Sequence, residues 1–136
     1  MAKEIVRSPR TFTSSRPFSN GVRAGQHVYV AGQLAVDAHG HTVGAGDVRR
    51  QTRQVLENVR AIVEAAGGTL ADVVRTTVYL IDMADHAAVN EVYVEFFASA
   101  YPARTTVQVA ALAPAMAGAG SPFLVEIDAV AVIGEG

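Results

Sequence analysis

Asp47–Ile81, DVRRQTRQVLENVRAIVEAAGGTLADVVRTTVYLI, reads as a helix, its stop signal and a strand in that order. Val48, Thr52, Val55, Val59, Ile62, Val63 and Ala66 recur at spacings of three and four, while Arg49, Arg50, Arg53, Glu57 and Arg60 fall mostly on other faces. Side chains three and four apart share one helix face, so the pattern predicts an amphipathic helix with a single buried stripe. Asp47 offers a capping carboxylate at the start, and Gly67-Gly68 offers a left-handed exit at the end. Val73 to Ile81 is rich in β-branched residues and carries no breaker, which predicts a strand.

Working outward, Asp85 is the expected cap of a second helix whose apolar stripe is Val89, Tyr93, Phe96, Phe97 and Ala100, closed by Pro102. Arg104 to Ala110 reads as a strand, Ala113 to Pro122 as a loop, and Phe123 to Ile133 as a long final strand. In that strand Phe123, Val125, Ile127, Ala129, Ala131 and Ile133 share one face; Leu124, Glu126, Asp128, Val130 and Val132 share the other. Upstream, Glu4 to Val6 is a short strand and Ser8 to Pro17 a loop. Ser19 to Arg23 and His27 to Ala31 flank a tight turn at Ala24-Gly25, and Thr42-Val43 is a short return strand after the turn at Asp37 to Gly40. The order β-β-β-α-β-α-β-β predicts a single α+β domain spanning residues 1–136, with two helices on one face of a mixed sheet. The other face keeps apolar residues and needs a second cover, for which oligomerisation is the simplest source.

Composition narrows the chemistry. Charged residues are 18% of the 136, against about 25% in a typical soluble domain, so either an oligomer hides surface or the surface is Ala-rich and weakly charged. Eleven Lys and Arg against thirteen Asp and Glu, with no basic run, give no electrostatic footprint for nucleic acid. There is no cysteine, which excludes a disulfide framework, a thiolate nucleophile and Cys-ligated zinc and fits a cytoplasmic protein. Lys3 is the only lysine and lies near the terminus, so Schiff-base chemistry is not expected. No apolar run reaches the ~20 residues of a membrane span, and Met1 to Arg10 has no apolar leader core.

Few residues remain as candidates. Arg104 opens a strand after Tyr101-Pro102-Ala103; its planar fork suits a carboxylate or phosphate, although by position alone it reads as a surface arginine. Glu126, with Asp128 two residues on, lies in a strongly apolar strand; the pair is either a proton-carrying site or the wall of a solvated cavity between subunits. Asp37, His39 and His41 cluster in a turn without the further ligands a metal needs, so no metal site is expected. His86 follows a helix cap and is expected to be exposed. No Gly-x-Ser-x-Gly elbow occurs, and Gly118-Ala119-Gly120-Ser121 lacks the lysine and helix of a phosphate loop.

At Arg104 the chain meets a signature. Tyr101-Pro-Ala-Arg-Thr-Thr-Val-Gln-Val-Ala110 followed by Val125-Glu-Ile-Asp-Ala-Val-Ala131 resembles the C-terminal signature of the RidA (YjgF-like) family. Val28-Tyr-Val-Ala-Gly-Gln33, Gln54 to Gly67, and Val78 to Phe97 with Asp82, Val89-Asn90 and Phe96-Phe97 resemble its other segments, so the match runs from about Phe18 to Ala131. The resemblance implies a chorismate-mutase-like (bacillus type) α+β fold, a homotrimer with active sites in clefts between subunits, and hydrolysis of reactive 2-imino or enamino acids to 2-keto acids and ammonia. It implies no metal and no organic cofactor. Arg104 would hold the substrate carboxylate and Glu126 would position the attacking water. Gly32 and Thr106 would offer backbone donors, and Asn90 would line the pocket.

This chain also departs from the family. Phe18 stands where a tyrosine is common, Ala31 where a serine is frequent, and Thr106 where a cysteine is common. The turn after the arginine strand is lengthened to Leu112-Ala-Pro-Ala-Met-Ala-Gly-Ala-Gly-Ser-Pro122. These changes suggest a more apolar substrate, as in a specialised pathway enamine hydrolase, or weaker generic activity. A trimer that binds carboxylate metabolites without turnover is the reading from another class.

Overall fold

The computed structural model describes residues 2–114 and 120–134. Its elements are β1 (Glu4–Val6), β2 (Gly21–Ala24), β3 (His27–Gln33), α1 (Val48–Ala65), β4 (Val73–Leu80), α2 (His86–Phe97), β5 (Ala103–Gln108) and β6 (Val125–Val132). They form one mixed six-stranded sheet in the order β1-β2-β3-β6-β4-β5. Only β4 and β5 run parallel, because α2 carries the chain back between them; the other pairs are antiparallel. The α+β order expected from the sequence is the one observed.

α1 follows its sequence pattern closely. Asp47 accepts the Arg50 N–H at 3.1 Å, and the chain leaves the helix through Gly67 at φ +101°. There the Gly68 N–H donates to the Val63 carbonyl and the Gly67 N–H to the Glu64 carbonyl, which satisfies two carbonyls the helix would otherwise leave open. The buried stripe of α1 packs with Val89, Tyr93 and Phe97 of α2 on one sheet face, against Val28, Val30, Val78, Leu80, Ile127 and Ala129. Arg49–Glu91 and Arg53–Glu95 bridge the helices at their exposed edge.

The alternation in the final strand also holds. Phe123, Val125, Ile127, Ala129, Ala131 and Ile133 are buried, while Glu126, Asp128, Val130 and Val132 are half-buried on the face without helices. Tyr29 (49% exposed) and Val107 lie on that same open face.

Four local expectations are corrected. Asp85 does not cap α2: its backbone is already αR (φ -81°, ψ -3°) because Met83–Asp85 is wound as a 3-10 turn, and the capping carboxylate is Asp82, which accepts the Ala84 N–H. α2 ends at Phe97 rather than near Pro102, with Ala98 and Ala100 at positive φ, so Ala100 lies outside the helical stripe. The return strand at Thr42-Val43 shrinks to a single bridge, Val36 to Thr42. The last strand is shorter at both ends than Phe123 to Ile133. Of the long loop, residues 115–119 lie outside the described residues, which takes in the first two residues of the Gly118 to Ser121 segment.

The sequence pattern passed over two buried amides on α1. The Gln51 side chain donates to the carbonyls of Gly44 and Pro122 and accepts the Leu124 N–H, stitching the helix to the start of β6. Asn58 donates to the carbonyls of Leu34 and Val36 after β3. Replacing Gln51 by Leu removes the partner of the Pro122 carbonyl and the Leu124 N–H, while the Gly44 carbonyl keeps the Asp47 N–H; each unpaired buried group costs about 1–3 kcal/mol. Urea unfolding of Gln51→Leu at fixed protein concentration should show that loss, whereas Arg49→Ala should match the parent.

Candidate functional site

The pleat of β4 sorts the candidate residues. Thr76, Val78 and Leu80 face the helices; Thr77 and Tyr79 face the open side. Arg104 on β5 is in register with Thr76 and Thr106 with Val78, so both lie on the helix side. Glu126 on β6 is in register with Tyr79, so it lies on the open side. Arg104 and Glu126 also differ by three residues along the strands, about 10 Å. One protomer therefore carries these two candidate residues on opposite faces of its sheet.

Arg104 sits in a cage built by α2. Its Cζ lies 4.8 Å from the centroid of the Tyr93 ring. Its Nη2 donates to Asn90 Oδ1 at 2.7 Å and lies 3.2 Å from His86 Nε2. His86, Asn90 and Tyr93 are spaced four and three apart and share one face of the helix. Tyr93 is fixed by its hydroxyl against Thr76 Oγ1 (2.8 Å) and its ring against Phe97. Burial pushes the Tyr93 phenol up, so the ring stays neutral beneath the cation. Among the described residues no carboxylate pairs with Arg104. Neutral partners fix the plane of the guanidinium without cancelling its charge, and both polar contacts use Nη2, leaving the rest of the fork for an anion. His86, expected to be exposed, is half-buried as part of this cage.

Glu126 has a different setting. Burial raises its carboxyl above the ordinary 4.5, and the nearby Asp128 carboxylate adds to the rise. Asp128 is already engaged, accepting the Thr77 N–H at 3.1 Å and the Tyr79 hydroxyl at 2.9 Å. Gly32 lies directly against Glu126: a Cβ there would overlap the carboxylate. The glycine leaves the space that the end of the Glu126 side chain fills. The neighbouring Ala31 N–H is taken by the Asn20 carbonyl at 2.8 Å.

Gly32 also lines an open cleft of about 510 Å³ that includes Phe18, Phe12, Leu34, Val36, Pro114 and Phe123. Of the sequence candidates, Phe18 and Gly32 border this cleft, with Glu126 packed against Gly32; Arg104, Asn90 and Thr106 lie on the helix side. His86, Tyr93 and Tyr79 were missed. The helical spacing of His86-Asn90-Tyr93 was the available signal for the first two; only strand register places Tyr79 beside Glu126. Asp37 accepts the backbone N–H groups of His39 and His41, which holds its carboxyl below the ordinary 3.8 and makes the cluster a turn. No group of three metal-ligating side chains occurs among the described residues, and no described helix is long and apolar enough to cross a membrane.

Residues 9–133 match the family described as Endoribonuclease L-PSP. The chain belongs to the YjgF/RidA family. A RutC family protein of Pyrococcus horikoshii is 42% identical over 129 residues, covering 95% of this chain and 97% of the relative. The E. coli TdcF structure with bound serine is 37% identical at TM-score 0.86, covering 96% and 99%. The E. coli YjgF gene product is 37% identical at TM-score 0.85, covering 95% and 98%. In this YjgF/RidA chain the signature arginine and glutamate are both present, with the geometry given above.

Two measurements test the Glu126 setting. Gly32→Ala should push the flexible end of the Glu126 side chain aside, so any stability it loses should disappear when the same change is made in a Glu126→Ala background. The raised carboxyl also sets a pH dependence. A group with a folded-state pKa above its unfolded value binds more protons when folded, so its favourable contribution is complete below about 4.5 and is lost as pH rises through the raised value. Paired urea titrations should therefore show Glu126→Gln gaining on the parent as pH climbs from 4 towards 7, with no change below that window.

Proposed function

We propose that this YjgF/RidA protein is a cytoplasmic imine deaminase that hydrolyses small 2-imino or enamino acids to 2-keto acids and ammonia, as a homotrimer with active sites between subunits. The observation that carries this reading is the separation of Arg104 and Glu126 onto opposite sheet faces. One protomer cannot bring them to one ligand, while a second copy laid on the apolar open face can supply the missing half. The serine-bound relative supports a ligand with a carboxylate next to a nitrogen-bearing carbon.

The chemistry asks little of the protein. The imine carbon is already electrophilic, so positioning and one proton carrier suffice. Arg104 grips the carboxylate in its fork, worth roughly 1.5–3 kcal/mol per charge-assisted bond. Glu126 takes a proton from water as the oxygen bonds to carbon; the C=N π pair moves to nitrogen, which receives that proton back from Glu126 to give the neutral carbinolamine. The hydroxyl proton then passes by way of Glu126 to the amine nitrogen, the oxygen pair forms C=O as the C–N pair leaves on nitrogen, and ammonia and the keto acid depart. A carboxyl whose pKa is raised by burial accepts and returns that proton more readily near neutrality. The word endoribonuclease in the family description points to RNA, but eleven basic against thirteen acidic residues provide little attraction for phosphates.

The test uses complementation. With 2-iminopropanoate or 2-iminobutanoate generated in situ by an amino-acid oxidase or dehydratase, Arg104→Ala and Glu126→Gln should each lose at least about a hundredfold in kcat/KM. Co-refolding the two inactive variants in equal amounts should restore about a quarter of parental activity, since random mixing in a ring rebuilds that share of intact sites. No recovery from stably assembled mixed oligomers would place both residues' roles within one subunit and sink the shared-site mechanism. Carboxylate binding without turnover would make the protein a binding module.

A further inference from the structure

We propose that the cleft beside Gly32 is the side-chain pocket for the substrate, and that the preferred substrate class is 2-imino acids with an aromatic side chain. This rests on the imine deaminase reading and names its substrate.

The cleft measures about 510 Å³, within the roughly 300–1,000 Å³ of pockets that enclose drug-sized ligands. A three-carbon imino acid has one methyl beyond its reacting carbon and leaves most of that space wet. The walls combine an apolar, aromatic part with a polar one that includes Ser14, Ser15, Arg16 and Asn20. Phe12 (45% exposed) and Phe18 (51% exposed) present ring surface to solvent, and Leu34, Val36, Phe123 and Pro114 continue the lining. Two large exposed rings on one concavity are unusual for surface that meets only water, and aromatic rings are the natural partners of another ring.

The walls are fixed in place. The Asn20 side chain donates to the Phe12 carbonyl at 2.9 Å, and the Phe12 ring packs on Gly40, where a Cβ would come within 2.7 Å of it. Arg16 Nη2 donates to the Pro114 carbonyl at 3.0 Å, tying the N-terminal loop to the segment after β5. A pocket held open by such bonds loses little freedom on binding. Its position also fits: Gly32 lines the cleft, and the Glu126 side chain lies against Gly32. A ring seated among Phe12, Phe18 and Phe123 therefore shares the cleft with the glycine that the acid packs on. Phe18 itself offers ring surface and no hydroxyl; the polar groups of the wall are Ser14, Ser15, Arg16, Asn20, Gln33 and Asn58.

The experiment compares imines released in situ from phenylalanine, leucine and alanine by an amino-acid oxidase, reading keto-acid formation with the assembled protein. The phenylalanine-derived imine should be favoured over the alanine-derived one by at least about tenfold in kcat/KM. Phe18→Ala and, separately, Phe12→Ala should collapse that ratio towards one, whatever the absolute rates; both side chains are about half exposed, so both variants should fold. A parental ratio at or below one overturns the aromatic preference and leaves imine hydrolysis standing. If no imine is turned over, the deaminase reading falls, and calorimetry with phenylpyruvate against pyruvate decides the cleft. Tighter phenylpyruvate binding that Phe18→Ala abolishes supports the pocket; equal or undetectable binding overturns it.

Discussion

Val78 and Leu80 are fully buried beneath the two helices, with Ile127 and Val125 beside them on β6. A slip of one residue in either strand would turn these side chains out to the open face and bring Tyr79 and Glu126 into the core. Burying a carboxylate there without a partner costs several kcal/mol, so the apolar core and the acid enforce the same register. That register sends Arg104 to the helix side and Glu126 to the open side. Much of the candidate chemistry follows from the parity of three strands.

The two candidate residues use opposite electrostatic strategies. Arg104 is held by an amide, an imidazole and an aromatic face, none of which carries a formal negative charge. A carboxylate at the same position would hold the side chain better and leave it useless for an anion. Glu126 instead lies next to another carboxylate and is partly removed from water, which favours its protonated form. Asp128 receives the Thr77 N–H and the Tyr79 hydroxyl, which hold it in place as an acceptor beside Glu126. The arrangement also leaves an apolar sheet face around Glu126, and covering it with a second copy would strengthen both the desolvation and the interaction with any ligand gripped from the other side.

Much of this was legible in the sequence. The stripe from Val48 to Ala66 and the alternation from Phe123 to Ile133 are strong because each repeats a geometric period many times, and both appear as read. The second helix start was misread because a single Asp can cap a 3-10 turn as well as an α-helix, and two Asp three residues apart, Asp82 and Asp85, do not say which. Gln51 and Asn58 were invisible as staples, since their partners lie up to 73 residues away and no local pattern records them. Arg104 gained its meaning from the signature around it; the cage that fixes it requires the packing of α2 over β5. Tyr79 needed register, which pattern alone does not supply.

Specificity should divide between Arg104 and the cleft. A fork that grips a carboxylate rejects ligands lacking one severely, because the buried cation and its cage would be left without their anion. The rings that line the cleft discriminate far less, since each methylene is worth about 1–3 kcal/mol. Phe18 and Ala31 offer no hydroxyl to a ligand. On the proposed reading, the demand for the acid group is strict while the preference among side chains is graded. That combination suits an enzyme meeting reactive imines of varied size, with the aromatic cleft favouring the bulkiest of them.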